Sequence, residues 1–221
     1  MSDDLIAVVI VLAIMLLVAF PIHEYSHALA AWRLGDGTAR LYGRLTLNPL
    51  AHFDPMGGSI LAITMVLSVV QGTVAFGWAK PTPVNTLNLR GGRESAALVA
   101  AAGPLSNLVL AAVGGLTYRI MTSVGLGVPP VFDLVLQYFV FINVALMIFN
   151  FLPIAPLDGF QVLFALLPAS VALRWGPIIQ QYGFVVLLIA ILLPIFPGGL
   201  TLIDLVFQVI AFPLIRLLMG W

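Results

Sequence analysis

Residues 5–32 read LIAVVIVLAIMLLVAFPIHEYSHALAAW, an apolar run whose only strongly polar side chains fall in its second half. A bilayer core about 30 Å thick takes roughly 20 apolar residues of helix, so this stretch can cross a membrane with more than a turn to spare. Its polar group is His23-Glu24-Tyr25-Ser26-His27, an H-E-x-x-H pattern. Four residues make little more than one helical turn, so His23 and His27 stack on one face and can hold one metal ion. Glu24 projects beside them, placed to take a proton from attacking water. The bland alternative is a polar patch on a core helix. Against it, ionisable groups at membrane depth are costly and by default mark a functional site. Pro21 cannot donate to the carbonyl one turn earlier, which leaves either a kink that admits water or a simple bend.

Composition extends this reading to the whole chain. Of 221 residues, 62% are hydrophobic and 8% charged, against about 25% charged in soluble domains. Lipid must therefore be the solvent for most of the surface. Nine basic and nine acidic residues cancel, which gives no electrostatic case for a nucleic-acid partner. The chain has no cysteine, so a metal site must draw on acids and on the three histidines, His23, His27 and His52. Met-Ser-Asp-Asp at the start lacks the basic region of a signal peptide, so the first apolar run reads as an uncleaved span.

Further spans read at about 94–121, 131–152, 177–194 and 200–218, the last two parted by Pro197-Gly198-Gly199. The expected fold is an all-α polytopic membrane protein of about five to six transmembrane helices, with re-entrant or extended segments near the site. Its one membrane-embedded domain covers 1–221, with a core over about 5–160 and additional helices over about 161–221. Basic residues concentrate on the cytoplasmic side of membranes. Arg33, Arg40, Arg44, Lys80, Arg90, Arg93, Arg174 and Arg216 can share that side, leaving Arg119 near the other face. The apolar piece at about 56–71 is short for a span and fits a re-entrant segment better. Stretches 41–47 and 72–89 are expected to be extended and covered by protein, since irregular backbone at membrane depth must be buried or line a cavity.

A catalytic zinc needs a third protein ligand and an open position. The candidates are His52 or an acid within membrane reach, and Asp158 is the best of them. It stands in Asn150-Phe151-Leu152-Pro153-Ile154-Ala155-Pro156-Leu157-Asp158-Gly159, where prolines and a glycine interrupt an apolar run and let a carboxylate turn inward. The alternative is an Asp that only caps a helix. Charge placement sets the end of the span near 152 and the histidine end of the first span on one side, so the three groups come to one depth.

His23–His27, the Asn150–Gly159 segment and Ala102-Gly103-Pro104-Leu105-Ser106-Asn107 together resemble the site-2 protease family of intramembrane zinc metalloproteases. The resemblance covers about 20–160. It implies that His23, His27 and Asp158 bind one zinc ion per chain and that Glu24 is the catalytic acid/base. It also implies that Asn150 helps to position the scissile peptide backbone and that Asn107, which matches the family's core-helix asparagine, belongs with the substrate-binding residues. Leu47–Pro55 and Phe76–Pro81 resemble a compact prokaryotic branch without PDZ-like or nucleotide-sensing domains. There His52 would sit near the metal and stabilise the oxyanion, as against a structural histidine at a turn.

The expected function is zinc-dependent hydrolysis of peptide bonds within transmembrane segments of membrane-protein substrates. The resemblance places the protein in a prokaryotic inner membrane, with the site nearer the cytoplasmic side. An intramembrane metal transporter also puts His and Asp at broken helices, and an inert zinc-holding scaffold is a third alternative. Transporters spread their polar groups along a path, whereas these converge, and Glu24 suits hydrolysis.

Overall fold

The computed structural model describes residues 3–71, 77–125 and 129–221. The first helix runs without interruption from Asp3 to Arg33 in three parts: α1 (Asp3–Ile14), a π-helical turn (Met15–Ala19) and α2 (Phe20–Arg33). The π turn answers the question raised by Pro21. A proline ring presses on the carbonyl four residues back, and widening the preceding turn by one residue moves that carbonyl aside. The same device recurs before Pro213, where a π turn at Phe207–Ala211 joins α10 (Leu202–Val206) to α11 (Phe212–Met219). Between these ends lie α3 (Thr38–Leu41), α4 (Pro49–His52), α5 (Pro55–Gln71), α6 (Gly92–Ser123), α7 (Pro130–Phe151), α8 (Asp158–Leu166) and α9 (Ala169–Leu192). No strand is present among the described residues. Among the described residues, five helices are long and apolar enough to cross a membrane: Val8–Arg33, Gly92–Ser123, Pro130–Phe151, Ala169–Leu192 and Leu202–Met219.

Helix α6 is the spine, packed against α2, α7 and α8. Small residues let it come close to its neighbours, and Ala111 joins Val140, Val144, Met147, Ala211 and Ile215 in a buried cluster with α7 and α11. Beyond α7 the chain turns through a cis Ala155-Pro156 bond and resumes as α8, which runs along α6 toward its first turn. Gly159 permits that close restart, because a Cβ there would stand 2.2 Å from the Phe151 carbonyl oxygen. Arg93 secures the far end of α8, donating to the carbonyls of Phe164 and Leu167.

Two expectations change. The 41–47 stretch is not an extended, covered segment. Leu41 closes α3, a turn follows at Gly43 with φ +67°, and Leu41 and Tyr42 are exposed. Of the 72–89 stretch, 72–76 lies outside the described residues, while 77–85 is irregular backbone and Thr86–Asn88 a 3-10 turn. The 56–71 piece forms α5, an unbroken 17-residue helix that lies along α1 through Val8, Leu61 and Met65.

The second change concerns Arg216, which does not share an end with Arg33 and Arg93. Gly115 faces Leu218, Tyr118 stacks edge-on with Trp221 at 6.0 Å, and Arg119 Nη1 donates to the Leu217 carbonyl at 3.4 Å. So α11 ends beside the C-terminal end of α6, with Arg119. Alternating sides helix by helix misplaces it, because α10 starts at the depth of the α7–α8 turn: Ile203 packs with Leu157, Leu187 and Ile191.

Candidate metal centre

Three ligand atoms from two distant segments meet where α2, α6 and α8 converge. His23 Nε2 and His27 Nε2 are 3.1 Å apart, and each stands 3.2 Å from Asp158 Oδ2. Helical spacing supplies the first pair, and the tight turn before α8 brings in the carboxylate from 131 residues beyond His27 (158 − 27). Both imidazoles are held through their other nitrogen. His27 Nδ1 donates to the Val99 carbonyl at 2.7 Å, and His23 Nδ1 donates to Asn107 Oδ1 at 2.6 Å. With protons on Nδ1, both Nε2 atoms present lone pairs.

That arrangement fits a cation and little else. Two lone pairs and a carboxylate oxygen pointed at one another repel, and Asp158 Oδ2 is buried with no hydrogen-bond partner. In a tetrahedral zinc site with bonds of about 2.0–2.1 Å, neighbouring ligand atoms stand about 3.3–3.4 Å apart. The observed triangle of 3.1, 3.2 and 3.2 Å is close to one face of such a tetrahedron. Among the described residues, His23, His27 and Asp158 are the group able to hold a metal ion.

Glu24 lies beside this triangle with its carboxylate engaged elsewhere. Its Oε2 accepts from the Thr82 main-chain N–H at 2.8 Å, while Thr82 Oγ1 donates to the Glu24 carbonyl at 3.0 Å. The 77–90 segment that carries Thr82 is tied down again at Asp36. That carboxylate accepts from Thr38 N and Oγ1, Asn85 N and Asn88 Nδ2. Burial pushes the Asp36 carboxyl up, but these hydrogen bonds outweigh it and hold it below the ordinary range.

The remaining sequence candidates fall at different distances from the triangle. Asn107 touches it directly through His23. Asn150 sits half-buried in the last turn of α7, with Nδ2 donating to its own helix at the Leu146 carbonyl, 2.9 Å away. His52, 1% exposed, lies outside the ligand group. Its Nε2 donates to the Thr46 carbonyl at 2.8 Å, and its own carbonyl accepts from Lys80 N at 2.9 Å. Four contributors escape sequence reasoning: Val99, Gly103, Thr82 and Asn143. A Cβ on Gly103 would stand 2.3 Å from His27 Nε2 and 2.7 Å from His23 Nε2. The quoted Ala102–Asn107 motif contained that glycine, and its close approach was the signal available.

Comparison with known proteins gives the family. The family model described as Peptidase family M50 matches residues 130–190. A Bacillus subtilis protein named as a zinc metalloprotease, YwhC, is 38% identical over 188 residues, covering 83% of this chain and 81% of the relative. The chain belongs to peptidase family M50. Two mycobacterial relatives, both named as the zinc metalloprotease Rip2, are similar over a comparable stretch. The Mycolicibacterium smegmatis protein is 32% identical, covering 80% of this chain and 65% of the relative. The Mycobacterium tuberculosis protein is 30% identical, covering 82% and 66%. No solved structure matches. This M50 peptidase is thus a zinc metalloprotease, and with five apolar helices of spanning length among the described residues it is an integral membrane protein. The transporter and scaffold alternatives fall away.

Proposed function

We propose that this M50 metalloprotease cleaves peptide bonds within the transmembrane segments of membrane-protein substrates. In this reading His23, His27 and Asp158 hold one zinc ion, Glu24 is the acid/base, and residues 1–221 act as one membrane domain. The observation that carries it is the triangle of 3.1 and 3.2 Å edges, two of whose corners lie on a helix of spanning length. When bound, zinc supplies a Lewis acid that polarises a carbonyl and acidifies water. Glu24 takes a proton from the attacking water as the new C–O bond forms, and delivers it to the leaving amine as the C–N bond breaks. The N–H of Thr82 aims the carboxylate for both transfers.

Depth favours water entry from the end marked by Arg33, Arg90 and Arg93. Arg33 lies six positions beyond His27 (33 − 27), about 9 Å of helix rise. Basic residues at that end support a cytoplasmic assignment in a prokaryotic inner membrane. A helical substrate hides its peptide bonds, so it must be drawn out before cleavage. Donors on the 80–83 stretch are already committed or missing. Lys80 N bonds the His52 carbonyl, Thr82 N bonds Glu24, and prolines 81 and 83 have no N–H. Main-chain pairing with substrate there is therefore through carbonyls. Asn150 is the candidate for holding the scissile backbone. Asn107 we assign to the metal side, and His52 to fixing the loop it shares with Thr46 and Lys80.

Glu24→Gln tests the assignment. The variant is expected to keep one zinc per chain, measured by elemental analysis, and to lose cleavage of a membrane-spanning test substrate in proteoliposomes. Cleavage at the unmodified rate would remove Glu24 from the chemistry. Cleavage confined to soluble peptides would remove the transmembrane substrate.

A further inference from the structure

Asn107 and Asn143 face each other between α6 and α7, and both are 0% exposed. Burying amides inside a membrane protein costs free energy unless every bond is made, and theirs form a single directed line. Asn143 Nδ2 donates to the main-chain carbonyl of Phe139 at 2.8 Å. A main-chain carbonyl can only accept, so the polarity of this end is fixed. Asn143 Oδ1 is thereby turned toward α6, where it accepts from Asn107 Nδ2 at 3.0 Å. That commits Asn107 Oδ1 to His23 Nδ1 at 2.6 Å. An acceptor at that place requires the proton on Nδ1 and leaves the Nε2 lone pair facing His27 and Asp158. His27 needs no such line, since its Nδ1 already meets a backbone carbonyl. His23 depends on an amide, and an amide can rotate by half a turn. Reversed, Asn107 would present its NH2 to His23 and select the tautomer that carries its proton on Nε2, the atom that faces the site, which then has no lone pair for a metal.

We propose that Asn143 is a positioning residue that acts through Asn107 to hold His23 in the tautomer whose Nε2 can bind zinc. This rests on the reading of His23 as a zinc ligand. Outer partners of ligating histidines fix ring orientation and typically contribute 10- to 100-fold in metal affinity. Here the outer partner has a partner of its own, on a different helix, ending on backbone.

Because the chain holds only three histidines, ring-15N-labelled protein gives three imidazoles to follow by NMR. Tautomers are read in metal-free protein, and zinc affinity by competition with a chelator. The set is the unmodified protein, Asn143→Leu, Asn107→Leu and the double substitution. Asn143→Leu is expected to weaken zinc binding 10- to 100-fold and to shift His23, but not His27, toward the Nε2–H form. Added to Asn107→Leu, it should cost nothing more. Asn143→Asp keeps the line as a neutral acid, donating to Phe139 and accepting from Asn107, and should bind zinc within a few-fold of the unmodified protein. That variant keeps the test open if the leucine fails to fold. Unchanged zinc affinity and an unchanged His23 tautomer in Asn143→Leu would overturn the relay alone, as would losses that multiply in the double variant. Zinc binding by the unmodified protein that leaves the His23 signals unmoved would overturn the zinc reading, and the relay with it.

Discussion

A methyl group at position 103 would stand 2.3 Å from His27 Nε2 and 2.7 Å from His23 Nε2, closer than any non-bonded contact allows. Gly103 lies inside α6, where alanine is intrinsically the better helix former by about 1 kcal/mol. Gly103→Ala should therefore leave the helix intact while pushing both rings out of register. We expect zinc content to fall at least ten-fold with helical circular dichroism unchanged, and a full complement of zinc would show that the rings can yield. The two histidines were legible because they share one helical turn, and Asp158 because prolines and a glycine break an apolar run around it. Asn143 was not, since a lone asparagine in an apolar helix carries no spacing code and its partner lies 36 residues away. The same holds for the carbonyl of Val99, as sequence gives side-chain identity and says little about which backbone oxygen a ring will meet.

At the scale of elements, the segment 77–90 joins the site to the loop after α2. It is pinned at Glu24 through Thr82 and at Asp36 through Asn85 and Asn88. Gly77, Pro81 and Pro83 marked it as non-helical in the sequence. Its anchors were hidden, because Thr82 and Glu24 are 58 positions apart and the bond uses a main-chain N–H that any residue but proline could supply. Two substitutions separate the parts of that contact. Thr82→Pro deletes the N–H that reaches the carboxylate, whereas Thr82→Val deletes only the hydroxyl bond to the Glu24 carbonyl. A hydrogen bond to a charged group is worth about 1.5–3 kcal/mol, so Thr82→Pro is expected to lower kcat by roughly 10- to 100-fold. Thr82→Val should stay within a few-fold, and both should keep zinc. Equal losses in the two variants, or loss of zinc in either, would mean that the loop supports the site as a whole and does not aim Glu24.

For the molecule as a whole, composition and span length made the all-helical membrane fold legible, but the path of the last helices was not. Counting basic residues placed Arg216 with Arg33 and Arg93, and that count assumed that each apolar run crosses from the side where the previous one ended. Packing contradicts the assumption. The buried cluster of Ala111, Val140, Ala211, Ile215 and Met219 aligns α11 with the C-terminal half of α6, and Trp221 meets Tyr118. Hydropathy cannot see this, because it scores length and apolarity without direction. The absence of native cysteine makes the arrangement testable by single-cysteine labelling in oriented membranes with a reagent that does not cross them. Ser123→Cys marks the end of α6 and Trp221→Cys the end of α11. Gly37→Cys marks the loop after α2, where an added side chain meets nothing within 4 Å. Ser123→Cys and Trp221→Cys should react from one side and Gly37→Cys from the other. If Trp221→Cys reacted together with Gly37→Cys, α11 would have to run opposite to α6, and the contacts of Gly115 with Leu218 and of Arg119 with Leu217 could not exist in the membrane.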